Sequence, residues 1–339
     1  MIRLKQNLFY KLSLYLIIVF IGCSKLTKEE QQLFKEAIIK NQREYIENIL
    51  SKGVDLNNEK IFGYIPLHIA VEANNISLIS LFLKNGADIN KVDELGQNCL
   101  FKTYNIDTIR YLIENGANVN QAEIYGTLPV FNVTWNYDLA KLYIESGSDI
   151  YHKDMNGRTV LFYALSDDNY KLIQYLIKKD DGIVKDEDND GYNTLIWYSA
   201  LGKGDLRVLK LLLECGLEIN GQNKKGLNAL IVSIINVKFH KKEKYLLSNN
   251  IRYIKLLIER GIDVNHKDDY GNTALHCAIR VEREIELLKL LLDNGAKVDI
   301  KNKKGETPLD IAIKKGDKVI INLLKSYVKF TRMYNTTGI

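Results

Sequence analysis

SLISLFLKNGADIN, Ser77 to Asn90, is the stretch on which the fold turns. Its apolar residues Leu78, Leu81 and Phe82 recur at helical spacing. Gly86 then supplies the left-handed conformation that commonly ends a helix, and Ala87-Asp88-Ile89-Asn90 reads as a short extended piece. The same order recurs in DTIRYLIENGANVN (Asp107 to Asn120) and LKLLLDNGAKVD (Leu288 to Asp299). The glycines make the recurrence regular. Gly53, Gly86, Gly116, Gly147, Gly182, Gly216, Gly261 and Gly295 are each followed by a second glycine: Gly63, Gly96, Gly126, Gly157, Gly191, Gly226, Gly271 and Gly305. The partner comes ten residues later in every pair but one, where Gly182 and Gly191 are nine apart. Successive second glycines are 33, 30, 31, 34, 35, 45 and 34 residues apart. A period of this length marks an array of structural repeats.

One repeat can be read directly. A Leu-rich helix ends at the first glycine, a polar turn runs to the second, and a shorter helix follows, as in IPLHIAVEA from Ile65 to Ala73. Neither helix can bury its apolar face alone, so neighbouring repeats must stack. The reading predicts an all-α solenoid of stacked helix-turn-helix units with protruding β-turn tips. The inner helices of the second and third repeats, shortened near Tyr104-Asn105 and Val133-Thr134, are expected to be irregular.

Ile65-Pro66-Leu67-His68-Ile69-Ala70, Thr273-Ala274-Leu275-His276-Cys277-Ala278 and Thr307-Pro308-Leu309-Asp310-Ile311-Ala312 closely resemble the T-P-L-H-x-A signature of the ankyrin repeat. Gly86 to Asn90 resembles its G-A-D-x-N element, with altered copies at Gly116 to Asn120 and Gly261 to Asn265. The middle repeats place Phe or Ile where His is usual. The resemblance covers residues 33–327, as an N-terminal cap and eight repeats. Leu33 to Gly53 is the cap, a helix pair without an opening turn; the last repeat, ending in VIINLLKSYVKF with a polar side of its own, is expected to close the array. An insertion near residues 237–250, with the basic core KFHKKEK, falls between the two helices of the sixth repeat, and residues 328–339 are read as a tail.

The chain has 339 residues, 46% of them hydrophobic and 26% charged, with four cysteines and a formal charge of +5. That composition excludes a disordered chain and a disulfide scaffold. The first 22 residues have the layout of an export signal: Arg3, Lys5 and Lys11 without an acid, then the ten-residue apolar run from Leu12 to Ile21. The run is half the length a membrane-spanning helix needs. Phe20-Ile21-Gly22-Cys23 resembles a relaxed bacterial lipobox. The resemblance implies a signal peptide over 1–22, acylation of Cys23, a lipid-anchored linker over 23–32 and an exported protein on a bacterial membrane, at the outer membrane or its periplasmic face.

A search for chemistry yields no phosphate-binding, zinc-protease or nucleophile-elbow motif. Asp186, Asp188 and Asp190 followed by Gly191 match the start of a calcium loop, but Trp197 stands where the bidentate Glu belongs. No enzyme activity, metal or cofactor is expected. By resemblance, an ankyrin-like array offers an extended concave face and a row of turn tips that bind protein. The aromatic residues beside the second glycines, Phe62, Tyr64, Tyr125, Tyr192 and Tyr270, are the candidate contacts, because tyrosine offers large amphipathic area at small entropic loss. Lys225 and Lys304 join them where the tips turn basic. The expected partner is another protein; nucleic acid is disfavoured by the modest charge, and a monomer is expected. A secreted effector docking host proteins is the alternative.

Overall fold

In the computed structural model, the described residues are 26–202, 205–236, 244–281 and 285–337. Among them are sixteen α-helices, three 3-10 turns and no β-strand, only isolated bridges at three of the tips. The fold is an all-α repeat solenoid. The chain divides into two compact bodies. One takes the chain to Val133 together with Asp138–Asp149; the other takes Thr134–Tyr137 and everything from Ile150 onward. No helix among the described residues is long and apolar enough to cross a membrane.

The outer helix Ile76–Lys84 shows why the repeat folds locally. The Asn75 side chain accepts from the Leu78 N–H at 3.1 Å, capping the N-terminus. Leu78, Ile79 and Phe82 form the buried face, and Phe82 meets the cap-helix residue Phe34 edge to face at 6.1 Å. At the other end Gly86 (φ +84°) donates to Leu83 O at 3.1 Å, and Ala87 donates to Phe82 O at 3.0 Å. This pair of bonds is the Schellman closure that satisfies the last helical carbonyls. It recurs at Gly116-Ala117, Gly147-Ser148, Gly261-Ile262 and Gly295-Ala296.

In the first body the cap helices are Lys28–Ile39 and Arg43–Ser51, followed by the pair Pro66–Glu72 and Ile76–Lys84. The inner helices of the second and third repeats are reduced to 3-10 turns, Cys99–Lys102 and Pro129–Val133. The irregularity expected from their short spacing is therefore real. In the second body the pairs are Val160–Ser166 with Tyr170–Lys179, Thr194–Leu201 with Leu206–Glu214, Ala229–Asn236 with Lys244–Glu259, Ala274–Arg280 with Ile285–Asp293, and Pro308–Lys315 with Lys318–Thr337.

Three boundaries differ from the sequence reading. The cap helix starts at Lys28, inside the expected linker, because Thr27 and Glu30 form a reciprocal capping box at 3.2 and 3.0 Å. The last helix runs to Thr337, so the expected tail from 328 is helical over most of its length. Of the insertion, residues 244–250 extend the outer helix of the sixth repeat, and 237–243 lie outside the described residues. Cys23 and the rest of the N-terminal segment to residue 25 also lie outside them.

Buried histidines join neighbouring repeats. The His68 Nε2 lies 3.1 Å from Lys91 O. The Nδ1 of His276 accepts from the Thr273 N–H at 3.1 Å, which leaves the proton on Nε2 to donate to Glu306 O at 3.1 Å. Burial lowers both imidazole pKa values, that of His68 to about 4, with the Lys102 charge adding to the effect there.

The last helix presents the polar side expected of it, with Lys318, Asn322, Lys325 and Ser326 exposed. Val71, Leu165, Ile234 and Ile279, which occupy one inner-helix position in four repeats, are fully buried. Their counterpart Ile313 is 51% exposed, and Val319 on the last helix is exposed as well. Two apolar side chains of the final repeat, Ile313 and Val319, therefore stand in solvent in addition to that polar side.

Candidate protein-binding surface

The tips are built by one device repeated seven times. A carboxylate or amide three residues before the second glycine bends back and accepts two backbone N–H groups, two and four residues ahead. The acceptors are Asp93, Glu123, Asp154, Asp188, Asn223, Asp268 and Asn302, at 2.7 to 3.0 Å. This is a side-chain mimic of a backbone turn, and it holds each tip in one conformation.

Tips are also bonded to each other through the main chain. Within the first body Ile124 donates to Leu95 O; within the second, Asn189 donates to Asn156 O, Lys224 to Asp190 O, Asp269 to Lys225 O and Lys303 to Tyr270 O, at 2.8 to 3.2 Å. These bonds bring the residues immediately before the second glycine into a row. In the first body these are Leu95 and Tyr125, with Phe62 at the same place before Gly63; in the second they are Asn156, Asp190, Lys225, Tyr270 and Lys304.

The first repeat departs from the device, since Lys60 stands where the acid is needed. Its tip is a tight hairpin in which Ile61 and Tyr64 exchange N–H···O bonds of 2.8 and 3.0 Å, with Phe62 at φ +51°. A non-glycine residue there stores local strain. Tyr64 carries the Lys35 ammonium 4.7 Å above its ring and lines a shallow pocket with Leu95, His68 and Lys102. Lys60 reaches Glu94 at 2.9 Å, tying the first tip to the second.

Phe62, Tyr64, Leu95, Ile124 and Tyr125 are all between 46% and 58% exposed. Sequence reasoning named only the aromatic members. Leu95 stands in the same place before Gly96 as Phe62 before Gly63 and Tyr125 before Gly126, so position relative to the second glycine was the available signal.

Tyr192 is placed differently. It is half-buried, edge to face with Trp197 at 6.2 Å and 87°. The Arg158 guanidinium lies 4.3 Å from the Trp197 ring centre. Tyr192 is thus part of an Arg158–Trp197 cluster rather than a free tip. Tyr270 is the opposite case, 72% exposed. Lys225 and Lys304 are exposed as well.

Of the calcium-like stretch, it is Asp188 that serves the turn. Asp188 Oδ1 accepts from Asp190 and Tyr192 at 2.9 Å each, and Oδ2 lies 3.9 Å from Arg158. Asp186 pairs with Lys153 at 3.5 Å, and burial raises its pKa. No group of three or more His, Cys, Asp or Glu among the described residues could hold a metal ion. Cys99, Cys215 and Cys277 are free thiols, and burial pushes Cys99 and Cys277 up to about 12.

The repeat geometry agrees with a comparison against known families: a family model described as ankyrin repeats, three copies, matches residues 34–123, 132–223, 197–302 and 244–333. The chain belongs to the ankyrin-repeat family. Among similar proteins, an ankyrin repeat protein of Acanthamoeba polyphaga mimivirus is 25% identical over 66% of this chain and 26% of its own length. The nuclear factor NF-kappa-B p105 subunit of Gallus gallus is 31% identical over 55% of this chain and 20% of its own. An ankyrin repeat protein of Fowlpox virus is 29% identical over 60% of this chain and 37% of its own. The chain therefore spans well under half the length of each of these relatives. Ankyrin repeats generally mediate binding to other proteins and are generally non-catalytic scaffolds.

Proposed function

We propose that this ankyrin-repeat chain is a non-catalytic, protein-binding scaffold of the bacterial cell envelope, held at the membrane through an acylated Cys23. The observation that carries the binding role is the set Phe62, Tyr64, Leu95, Ile124 and Tyr125, apolar side chains left in solvent on three tips joined by the Lys60–Glu94 ion pair and the Ile124–Leu95 main-chain bond. Contiguous exposed apolar residues rimmed by polar ones mark interaction sites, and a set fixed by turn bonds loses little freedom on docking. Support for the anchor is the apolar run ending at Gly22-Cys23.

The test compares the wild type with a Phe62/Leu95/Tyr125→Ser variant as bait for envelope proteins. A partner recovered by the wild type and lost by the variant supports the reading; equal recovery of the same partner sinks the assignment of this set. For the anchor, palmitate incorporation should disappear in Cys23→Ser, and an unlabelled, freely released wild type would count against it.

A second reading, an exported effector that docks host proteins, draws on the matched relatives, which are proteins of a eukaryote and of viruses. The fate of Cys23 separates the two.

A further inference from the structure

We propose that the tips of the sixth, seventh and eighth repeats form a second docking site, for an extended acidic segment of a protein in which two carboxylates flank an apolar residue. The inference rests on the protein-binding reading but uses other residues in the other body, so the two fail separately.

Tyr270 stands between Lys225 and Lys304 in the row. Asp269 donates to Lys225 O at 3.2 Å and Lys303 donates to Tyr270 O at 2.9 Å, which places the three side chains on consecutive tips. Each tip is held from beneath by a buried turn acceptor, Asn223, Asp268 or Asn302. Tyr270 is the most exposed large apolar side chain among the described residues. The ammonium groups of Lys225 and Lys304 have no hydrogen-bond or ion-pair partner among those residues, unlike Lys224, which donates to Asn189 O at 2.7 Å, and Lys314, which pairs with Glu306 at 2.5 Å. Two unpaired cations thus flank an exposed aromatic ring on a fixed backbone.

The spacing specifies the ligand. One backbone hydrogen bond between neighbouring chains spans about 4.8 Å and one residue step about 3.8 Å, so successive members of the row lie at most about 8–9 Å apart. An extended peptide advances about 3.3 Å per residue. Carboxylates five or six residues apart reach both lysines, with an apolar residue midway lying on Tyr270. A continuous polyanion fits less well, because Asp190 and Asp269 are exposed on adjoining positions and would repel it. A lipid surface would need a broader field of cations than the four tip lysines Lys224, Lys225, Lys303 and Lys304, which share these tips with the exposed acids Asp190 and Asp269.

The experiment is fluorescence anisotropy with the full chain and a labelled Glu-Gly-Ser-Leu-Ser-Gly-Glu peptide. We expect saturable binding that weakens with added salt. Lys225→Glu combined with Lys304→Glu should weaken it by about tenfold or more and create a preference for the Lys-Gly-Ser-Leu-Ser-Gly-Lys peptide. Tyr270→Ala should also weaken it while leaving the unfolding midpoint unchanged. The proposal is overturned if a shuffled peptide of the same composition binds equally well, or if charge reversal leaves affinity unchanged. It is also overturned if phosphatidylglycerol vesicles or single-stranded DNA bind more tightly than the peptide and lose that binding in the charge-reversed variant.

Discussion

Asn90 holds the segment that follows Gly116 in the next repeat at both ends of its amide. Its Nδ2 donates to Gly116 O at 3.1 Å, and its Oδ1 accepts from the Asn118 N–H at 2.7 Å. Asn57, Asn120 and Asn265 make the same two-bond contact with Gly86, Gly147 and Gly295 and the residues that follow them. The altered G-A-D-x-N copies thus keep the asparagine because it fastens one repeat to the next.

Replacing Asn90 by Ala removes two exposed hydrogen bonds. At about 0.5–1.5 kcal/mol each, and at the lower end because water can reach both partners, the loss should be about 1–2 kcal/mol. Urea unfolding checks this; an unchanged midpoint would remove the asparagine contact from the forces that order the stack.

Tyr192 and Tyr270 should separate cleanly. Tyr192→Ala strips an edge-to-face contact from Trp197 and opens a half-buried cluster, which should lower stability by about 1–2 kcal/mol. Tyr270→Ala should stay within about 0.5 kcal/mol of the wild type, as expected for an exposed position. Parallel urea titrations decide; equal losses would mean that Tyr270 also packs inward.

Glycine substitutions should rank by what a new Cβ meets. At Gly271 (φ +74°) it would lie 3.0 Å from Lys303 N and 3.1 Å from Asn302 Cα, backbone that cannot swing aside. At Gly116 (φ +92°) it would meet nothing within 4 Å. Gly116→Ala should therefore show only the left-handed strain, about 1 kcal/mol, and Gly271→Ala about twice that or more. The order of the two unfolding midpoints is the readout, and a reversed order contradicts the close approach.

Stability should fall on mild acidification. His68 titrates near 6.5 when unfolded and at about 4 when folded, so between those values the unfolded state binds more protons. Stability is then full above pH 6.5 and declines as pH drops toward 4, by on the order of 2–3 kcal/mol for this residue; His276 shifts in the same direction. His68→Leu should flatten the dependence of the urea midpoint between pH 7 and 4.5. A slope as steep as that of the wild type would place the acid sensitivity elsewhere.

What could be read in advance follows the range of the interaction. Helix ends, tips and the two shortened inner helices are local events, set by glycines and spacing within one repeat, and were legible. The start of the cap helix at Lys28 was also written locally, in Thr27 and Glu30. The inward turn of Tyr192 was not legible, because Arg158 comes from the preceding repeat and the cluster forms only on stacking. Tyr151 makes the same point. It stands where other repeats carry the fastening asparagine, and its hydroxyl instead bonds the Asp180 carboxylate; desolvation first, and then this bond, raise the phenol to about 12. The exposure of Ile313, at a place where four other repeats bury their residue, is likewise not revealed by periodicity alone.

The turn device also divides labour within each tip. Leu95, Tyr125, Asn156, Asp190, Lys225, Tyr270 and Lys304 engage the turn acceptors through their main-chain N–H groups alone. Register is carried by atoms that every residue but proline possesses, and the side chain at that place is spared from folding. Mutation can therefore rewrite what the molecule recognises one tip at a time, with the scaffold beneath indifferent to the change. A leucine, a tyrosine and a lysine already occupy equivalent places on nearly identical backbones, which is what such a freely editable track would leave behind.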